Sequence, residues 1–158
     1  VPLSIEPADG RALDDETELG STEEQQSLEG VRVLVVDNEP DARGLVSMIL
    51  QSRGADVTAV GSAREAIDAI RAERPDVLLS DIGMPGEDGY ALIRKVRQLT
   101  SSEPPLPAAA VTAYVSAGDR AQAILAGYQA HLAKPIKPSE LTAVVAALAK
   151  GVAKYNNE

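Results

Sequence analysis

The sequence of 158 residues contains no cysteine, which excludes disulfide bonds, thiolate metal ligands and a cysteine nucleophile. It also contains no phenylalanine and no tryptophan, so aliphatic and alanine side chains must fill the core. No apolar run approaches the ~20 residues that a membrane-spanning helix requires, and no signal peptide is visible. These absences favour a cytoplasmic location and predict no membrane contact by this segment.

Charge is unevenly distributed along the chain. The total is 24 acidic against 15 basic residues, and residues 1–30 hold nine of the acids with a single base, Arg11. Residues 31–158 are close to neutral and carry no basic cluster, so we expect no direct binding to nucleic acid. Residues 1–30 lack hydrophobic periodicity and are interpreted as an acidic, disordered linker. Residues 1–5 fit a frayed tail and the last strand of an upstream domain equally well.

From residue 31 onward, short apolar runs alternate with amphipathic segments, which predicts an α/β fold with a parallel sheet. Five strand–helix units with right-handed connections give a three-layer, doubly wound sandwich of the flavodoxin type, with strand order 2-1-3-4-5 and five helices. The domain is expected to cover residues 31–150 and to leave 151–158 as a C-terminal tail. The predicted strands are residues 31–36, 56–60, 77–80, 108–111 and 129–132.

The helices are predicted from hydrophobic periodicity and capping residues. Helix 1 spans about 40–53 and helix 4 about 117–126, with Gly127 as the C-cap of helix 4. Ser62 is expected to cap helix 2, and Ser139 to cap helix 5. The side chains expected to face the core are Ala42, Leu45, Val46 and Ile49 in helix 1, Ala63, Ala66, Ile67 and Ile70 in helix 2, Leu92, Ile93, Val96 and Leu99 in helix 3, and Leu141, Val144, Val145 and Leu148 in helix 5.

Polar residues stand at the ends of four strands, namely Asp37, Asp81, Thr112 and Lys134. Because strands 1 and 3 are neighbours in the predicted order, Asp37 and Asp81 should meet at the carboxyl edge of the sheet. Crowded carboxylates repel each other, and Mg²⁺ relieves this repulsion while keeping positions for phosphate oxygens. An aspartate can attack phosphorus while a lysine and a hydroxyl stabilise the equatorial oxygens. Singly, each residue also fits a cap, a turn, a strand or a surface charge; together they favour a phosphoryl site.

Four segments carry these residues: Val33–Asp37, Ser80–Gly89, Val111–Ala113 and Ala133–Pro135. In order and spacing they resemble the receiver domains of two-component response regulators, over about residues 31–150. The resemblance implies that Asp81 accepts a phosphoryl group from the phosphohistidine of a sensor histidine kinase or a histidine phosphotransfer protein. The isolated domain is then not an enzyme but catalyses its own aspartyl phosphorylation.

The same resemblance implies a Mg²⁺ site, which Mn²⁺ can also occupy. Its ligands would be Asp37, Asn38, Asp81 and the backbone carbonyl of Gly83. The residues implied to bind the phosphate and to switch with it are Thr112, Lys134 and His131, and a cis peptide bond is implied at Pro135.

Two positions depart from the family pattern. Asn38 stands where a second acid is usual; it keeps an oxygen ligand but loses one negative charge, so the affinity for Mg²⁺ should fall. His131 stands where Tyr or Phe is usual, and it fits both a switch that adds pH sensitivity and a residue that merely closes the strand edge. Gly83 and Tyr114 occupy positions that, in the family, flank the phosphate and influence its hydrolysis.

Phosphorylation is expected to draw Thr112 toward the phosphate, turn His131 inward and shift the face made by helix 4, strand 5 and helix 5. A homodimer through the same face is a further expectation. The main alternative is a pseudo-receiver that serves as a phosphorylation-independent docking module, because Asn38 departs from the pattern. A phosphatase of the haloacid dehalogenase type would need a second Asp where Gly83 stands. A P-loop or dinucleotide-binding enzyme would need a glycine-rich loop after strand 1.

The ends of the chain suggest an origin in a larger protein. The sequence starts at Val1 instead of Met, and the acidic linker precedes the domain. We interpret the chain as the C-terminal receiver of a hybrid sensor histidine kinase whose catalytic domain ends near Ile5, with a stand-alone receiver as the alternative.

Overall fold

The computed structural model describes residues 26–101, 104–113 and 117–151 of the chain. In these ranges five strands alternate with five helices. They are β1 (Arg32–Val36), α1 (Pro40–Ser52), β2 (Asp56–Val60), α2 (Ala63–Ala72), β3 (Val77–Asp81), α3 (Gly89–Leu99), β4 (Ala108–Thr112), α4 (Ala117–Ala126), β5 (Ala130–Ala133) and α5 (Pro138–Ala149).

The strands form one parallel sheet in the order β2-β1-β3-β4-β5. This confirms the predicted α/β class, the 2-1-3-4-5 order and the alternation of strand and helix. β1 and β3 are paired, with Val36 opposite Ser80. The next residues, Asp37 and Asp81, are therefore neighbours at the carboxyl edge of the sheet.

Alternate residues of the central strands supply the two halves of the core. Val33 and Val35 face one layer and pack with side chains of α1 and α5, including Leu50. Leu34 faces the opposite layer, where it packs with side chains of α2, α3 and the end of α4. β3 is buried along its whole length because helices cover both faces of the sheet. No helix within the described ranges is long and apolar enough to cross a membrane.

Two predicted core positions are wrong. Leu45 is 52% exposed and Leu99 is 38% exposed. In α1 the fully covered side chains are Val46 and Leu50, four residues apart, and Leu45 lies one residue off this stripe. Leu99 is the last residue of α3, beyond the contact that buries Val96.

Two of the three predicted helix caps are confirmed and one is wrong. Ser62 caps α2, and its side chain accepts a hydrogen bond from the Glu65 N–H at 3.2 Å. Gly127 ends α4 with φ +130°, a conformation that glycine adopts without strain. Ser139 is not the cap of α5: the helix begins at Pro138 and Lys137 precedes it without a side-chain cap. Proline at the first helical position fixes the start without needing a capping hydroxyl.

The packed structure begins ahead of the predicted boundary at residue 31. Leu28 is fully buried in the core cluster of α1 and α5, and its N–H donates to the Arg53 carbonyl at 2.8 Å. Its side chain therefore belongs to the domain and not to the linker. The rest of the predicted linker (1–25), the tail after 151 and Tyr114 lie outside the described residues.

Candidate functional site

Two buried carboxylates define the carboxyl edge of the sheet. Asp81 is the last residue of β3, and Asp37 directly follows β1. Their residues are 7% and 5% exposed, respectively. Burial of two like charges without a counter-charge is unfavourable, so a cation is needed between them.

Lys134 supplies that cation from the end of β5, the edge strand of the sheet. Its Nζ lies 3.4 Å from Asp37 Oδ2 and 3.6 Å from Asp81 Oδ1. Lys134 directly follows β5, and its backbone N–H donates to the Thr112 carbonyl at 2.9 Å, which extends the β4–β5 pairing by one step. The Lys134–Pro135 peptide bond is cis, as the resemblance implies. The side chains of residues 37, 81 and 134 therefore converge on one small volume.

The ionisation of Asp81 reflects this balance. Burial raises the pKa of the Asp81 carboxyl, and the nearby charge of Asp37 raises it further. Lys134 lowers the pKa, as does the Gly83 N–H, which donates to Asp81 Oδ1 at 3.4 Å. Because the pKa of Asp81 is raised overall, the charge of Lys134 does not fully offset the effects of burial and of Asp37.

The loop that carries Asp37 and Asn38 is held by backbone contacts. Asp37 Oδ1 accepts a hydrogen bond from the Glu39 N–H at 2.9 Å, so only its other oxygen meets Lys134. Arg43 of α1 donates to the Asp37 carbonyl at 2.8 Å. Sequence reasoning did not single out Arg43; its position one turn into the helix that follows Asp37 was the available signal.

A pocket of about 280 Å³ opens above the carboxylates. The oxygen-bearing side chains that line it include the Asp81 carboxylate and the Asn38 amide, and Lys134, which also lines it, contacts Asp37. Within the described ranges no three His, Cys, Asp or Glu side chains gather closely enough to hold a metal. Two carboxylates, one amide and one backbone carbonyl nevertheless fit a hard cation that keeps several waters. The lining residues are Asn38, Glu39, Asp81, Gly83, Thr112, Ala113 and Lys134.

His131 lies apart from this group. It sits in β5 opposite Ala110, which packs in the layer of α2, α3 and α4, so the imidazole lies on that side of the sheet. Its Nε2 is buried and has no hydrogen-bond partner among the described residues. Burial lowers the pKa of His131, and Arg120 of α4 lowers it further against a smaller opposite effect of Asp119. Burial and the charge of Arg120 therefore both favour the neutral imidazole.

Two further residues bear on the site and were not predicted. Gly89 begins α3 so close to β3 that a Cβ on it would lie 2.6 Å from the Asp81 carbonyl oxygen. The Tyr128 side chain is buried in the core layer of α2, α3 and α4, and its hydroxyl donates a hydrogen bond to the Gly89 carbonyl at 2.7 Å. Gly89 was visible in sequence only as a turn residue, and nothing local marks Tyr128.

Comparisons with known proteins agree with this architecture. The family model for the response regulator receiver domain matches residues 33–146. An uncharacterized 14.6 kDa protein of Leptolyngbya boryana is 42% identical over 120 residues, covering 76% of this chain and 91% of that protein. The sensor histidine kinase GacS of Pseudomonas protegens is 36% identical over 125 residues, covering 78% of this chain but only 14% of the kinase.

The solved structures point the same way. The chemotaxis response regulator CheY4 of Vibrio cholerae superimposes with a TM-score of 0.69 at 29% identity, covering 75% of this chain and 98% of that one. The chain spans nearly all of some relatives and a small part of others, so the shared unit is the domain described above. With the matching fold, the family match over most of the domain and the carboxylate–lysine cluster, this chain belongs to the response regulator receiver domains of two-component signalling.

Proposed function

We propose that this domain is a phosphoacceptor, in which Asp81 receives a phosphoryl group from a phosphohistidine. An oxygen of the Asp81 carboxylate attacks phosphorus, the P–N bond breaks as the P–O bond forms, and the released imidazole takes up a proton. The observation that carries the proposal is the position of the Lys134 ammonium group, which lies within 3.6 Å of a carboxylate oxygen of both Asp37 and Asp81. The donor would be a sensor histidine kinase or a histidine phosphotransfer protein.

The chain's own residues supply much of what this reaction requires. Lys134 already lies between the carboxylates, where it can pair with an oxygen of the incoming phosphoryl group as the Asp81 charge is used in the new bond. Thr112 lines the same pocket at the end of β4. Asp37, Asn38, Asp81 and the Gly83 carbonyl would hold Mg²⁺, which when bound neutralises charge on the transferred group. The reaction is self-catalysed within the domain, and the domain alone turns over no further substrate.

The output of the switch is the face made by α4, β5 and α5. Leu125 and Ile124 of α4 are 87% and 42% exposed, so two large aliphatic side chains of this helix face solvent. His131 of β5 lies on the side of the sheet that α4 covers. A change in its side-chain position alters how α4 packs, and this face serves downstream partners or a second copy of the domain.

Acetyl phosphate tests the chemistry without a cognate kinase. With Mg²⁺ and acetyl phosphate, the wild-type chain should gain the mass of one phosphoryl group, and the adduct should be labile to hydroxylamine. The Asp81→Asn variant should gain none. Asp68→Asn serves as a matched control, since it changes an exposed carboxylate of α2 and should leave the adduct unaffected.

The alternative is a pseudo-receiver that binds partners without phosphorylation. It is favoured by one observation, the amide of Asn38 in place of a carboxylate beside Asp37. Beryllofluoride distinguishes the two functions. A phosphoacceptor should bind it in a Mg²⁺-dependent manner, with amide chemical-shift changes that extend from Asp81 to α4 and β5. A docking module should show neither binding nor shift changes.

A further inference from the structure

Tyr128 is a buried hydroxyl that the phosphoacceptor chemistry does not use. The residue lies between α4 and β5 and is 2% exposed. Its phenol donates to the Gly89 carbonyl at 2.7 Å, a contact between residues that are 39 apart in sequence. Burial raises the pKa of the Tyr128 phenol far above the physiological range, so the group stays a neutral hydrogen-bond donor.

The acceptor of this hydrogen bond leads directly to the phosphoacceptor. Gly89 is packed against the backbone of Asp81, and its N–H donates to the Ile82 carbonyl at 3.0 Å. The Ser80 hydroxyl donates to the Asp81 carbonyl at 3.0 Å. The acceptor of the phenol, the Gly89 carbonyl, therefore belongs to a residue that is packed against the Asp81 backbone.

The opposite end of the contact is also held firmly. Arg97 of α3 donates from Nε to the Gly127 carbonyl at 3.1 Å and from Nη1 to the Leu106 carbonyl at 2.7 Å. Its Nη2 reaches Gln129 Oε1 at 3.0 Å. The segment 127–129, which connects α4 to β5, is thus hydrogen-bonded to two residues of α3, namely Arg97 and Gly89. These bonds restrain the segment relative to α3.

We propose that Tyr128 is a positioning residue that couples the backbone of Asp81 to the α4–β5 connection through Gly89. This route is separate from the side chains of Thr112, which lines the pocket, and of His131 in β5. It rests on the proposed function, because the coupling matters only when Asp81 carries a phosphoryl group. The route adds a second path by which phosphorylation reaches the output face.

The test is Tyr128→Phe, which removes only the hydroxyl. Amide chemical shifts are measured with and without beryllofluoride at saturating Mg²⁺. The variant should bind beryllofluoride, but the shift changes at Gly127, Gln129 and Ala130 should fall below half of the wild-type values, while those at Asp37 and Lys134 persist.

Thr100→Val is the matched control. It removes another buried hydroxyl of the same layer, at the far end of α3, where Thr100 donates to the Val96 carbonyl at 2.8 Å. Both variants should lower the melting temperature, but Thr100→Val should leave the beryllofluoride-induced shifts at 127–130 unchanged. Wild-type shift changes in Tyr128→Phe, or an equal loss in both variants, would overturn the coupling. Absence of beryllofluoride binding in the wild type would instead refute the proposed function, and the inference with it.

Discussion

Replacing Lys134 by methionine removes a cation that contacts both buried carboxylates. The lysine side chain is 28% exposed, whereas those of Asp37 and Asp81 are 7% and 9% exposed. Methionine preserves most of the length and apolar volume of lysine, so the change is mainly electrostatic. The variant leaves two like charges close together in a site that water reaches poorly. We therefore expect Lys134→Met to destabilise the fold at neutral pH.

The size of the effect follows from the two distances. At an effective dielectric constant of about 20, contacts of 3.4 and 3.6 Å are worth about 4–5 kcal/mol each. Most of this is offset by the desolvation of the lysine, and loss of one partner of a buried pair typically costs about 3–5 kcal/mol. Because Lys134 keeps partial contact with solvent, we expect a loss of about 2–4 kcal/mol in the free energy of unfolding.

The dependence on pH gives the sign of the effect. The pKa of Asp81 is raised in the folded state, so between 3.8 and that raised value the folded chain holds a proton that the unfolded chain has released. Stability therefore falls as the pH rises through this interval. Without Lys134 the pKa rises further and the interval extends upward, so the loss in Lys134→Met should be smaller at about pH 5.5 than at about pH 7.5.

Urea denaturation of a double-mutant cycle measures the effect. Asp81→Asn alone should stabilise the fold by about 1 kcal/mol, since it relieves burial and repulsion of a charge. The double variant Asp81→Asn, Lys134→Met should recover more than half of the stability that Lys134→Met loses. Equal losses at the two pH values, or strictly additive effects in the cycle, would refute the electrostatic account of this site.

Three further changes test the packing and capping of the domain. Gly89→Ala places a Cβ 2.6 Å from the Asp81 carbonyl oxygen and 2.8 Å from Ile82 Cα, so we expect a loss of about 3 kcal/mol or more in urea unfolding, and an unchanged stability would contradict the close approach. Ser62→Ala removes the cap of α2 and should cost about 1 kcal/mol in the same assay, with Ser52→Ala at the exposed end of α1 as the control. Leu50→Ala opens a cavity among fully buried side chains and should cost about 2–5 kcal/mol, whereas Leu45→Ala, at a 52% exposed position, should cost far less.

The pattern of the sequence predicted the fold because its signals are local. Alternation of apolar runs with amphipathic segments predicts a parallel α/β sheet, and the register of β1 with β3 then brings Asp37 and Asp81 together. The errors have a different origin. Periodicity places Leu45 within one residue of the buried stripe, but only the packing of α1 against the sheet decides which of two adjacent side chains is covered.

The residues that sequence reasoning missed depend on contacts between distant parts of the chain. Tyr128 meets Gly89 across 39 positions, and Arg97 meets Gly127 across 30. Neither pair carries a local motif, because an aromatic residue before a strand and an arginine in a helix are common. Such contacts become visible only when α3 and the α4–β5 connection are placed side by side.

Asn38→Asp separates the binding of metal from the binding of the phosphoryl group. The cluster of Asp37, Asp81 and Lys134 carries one net negative charge, which becomes one net positive charge with Mg²⁺. The variant adds a negative charge, so Mg²⁺ should bind about tenfold more tightly, which corresponds to about 1.4 kcal/mol. At saturating Mg²⁺ the same charge makes the pocket neutral, so the anionic beryllofluoride should bind more weakly than to the wild type.

Calorimetric titration of each ligand measures the two affinities separately. Glu39→Gln is the control, because Glu39 is exposed at the rim of the same pocket and water screens its charge. Its effect on either ligand should stay below about twofold. If Asn38→Asp tightened both ligands, or weakened Mg²⁺, the charge of the pocket would not govern its ligands. The opposite changes expected here would mean that asparagine at position 38 trades metal affinity for a stronger hold on the phosphoryl group.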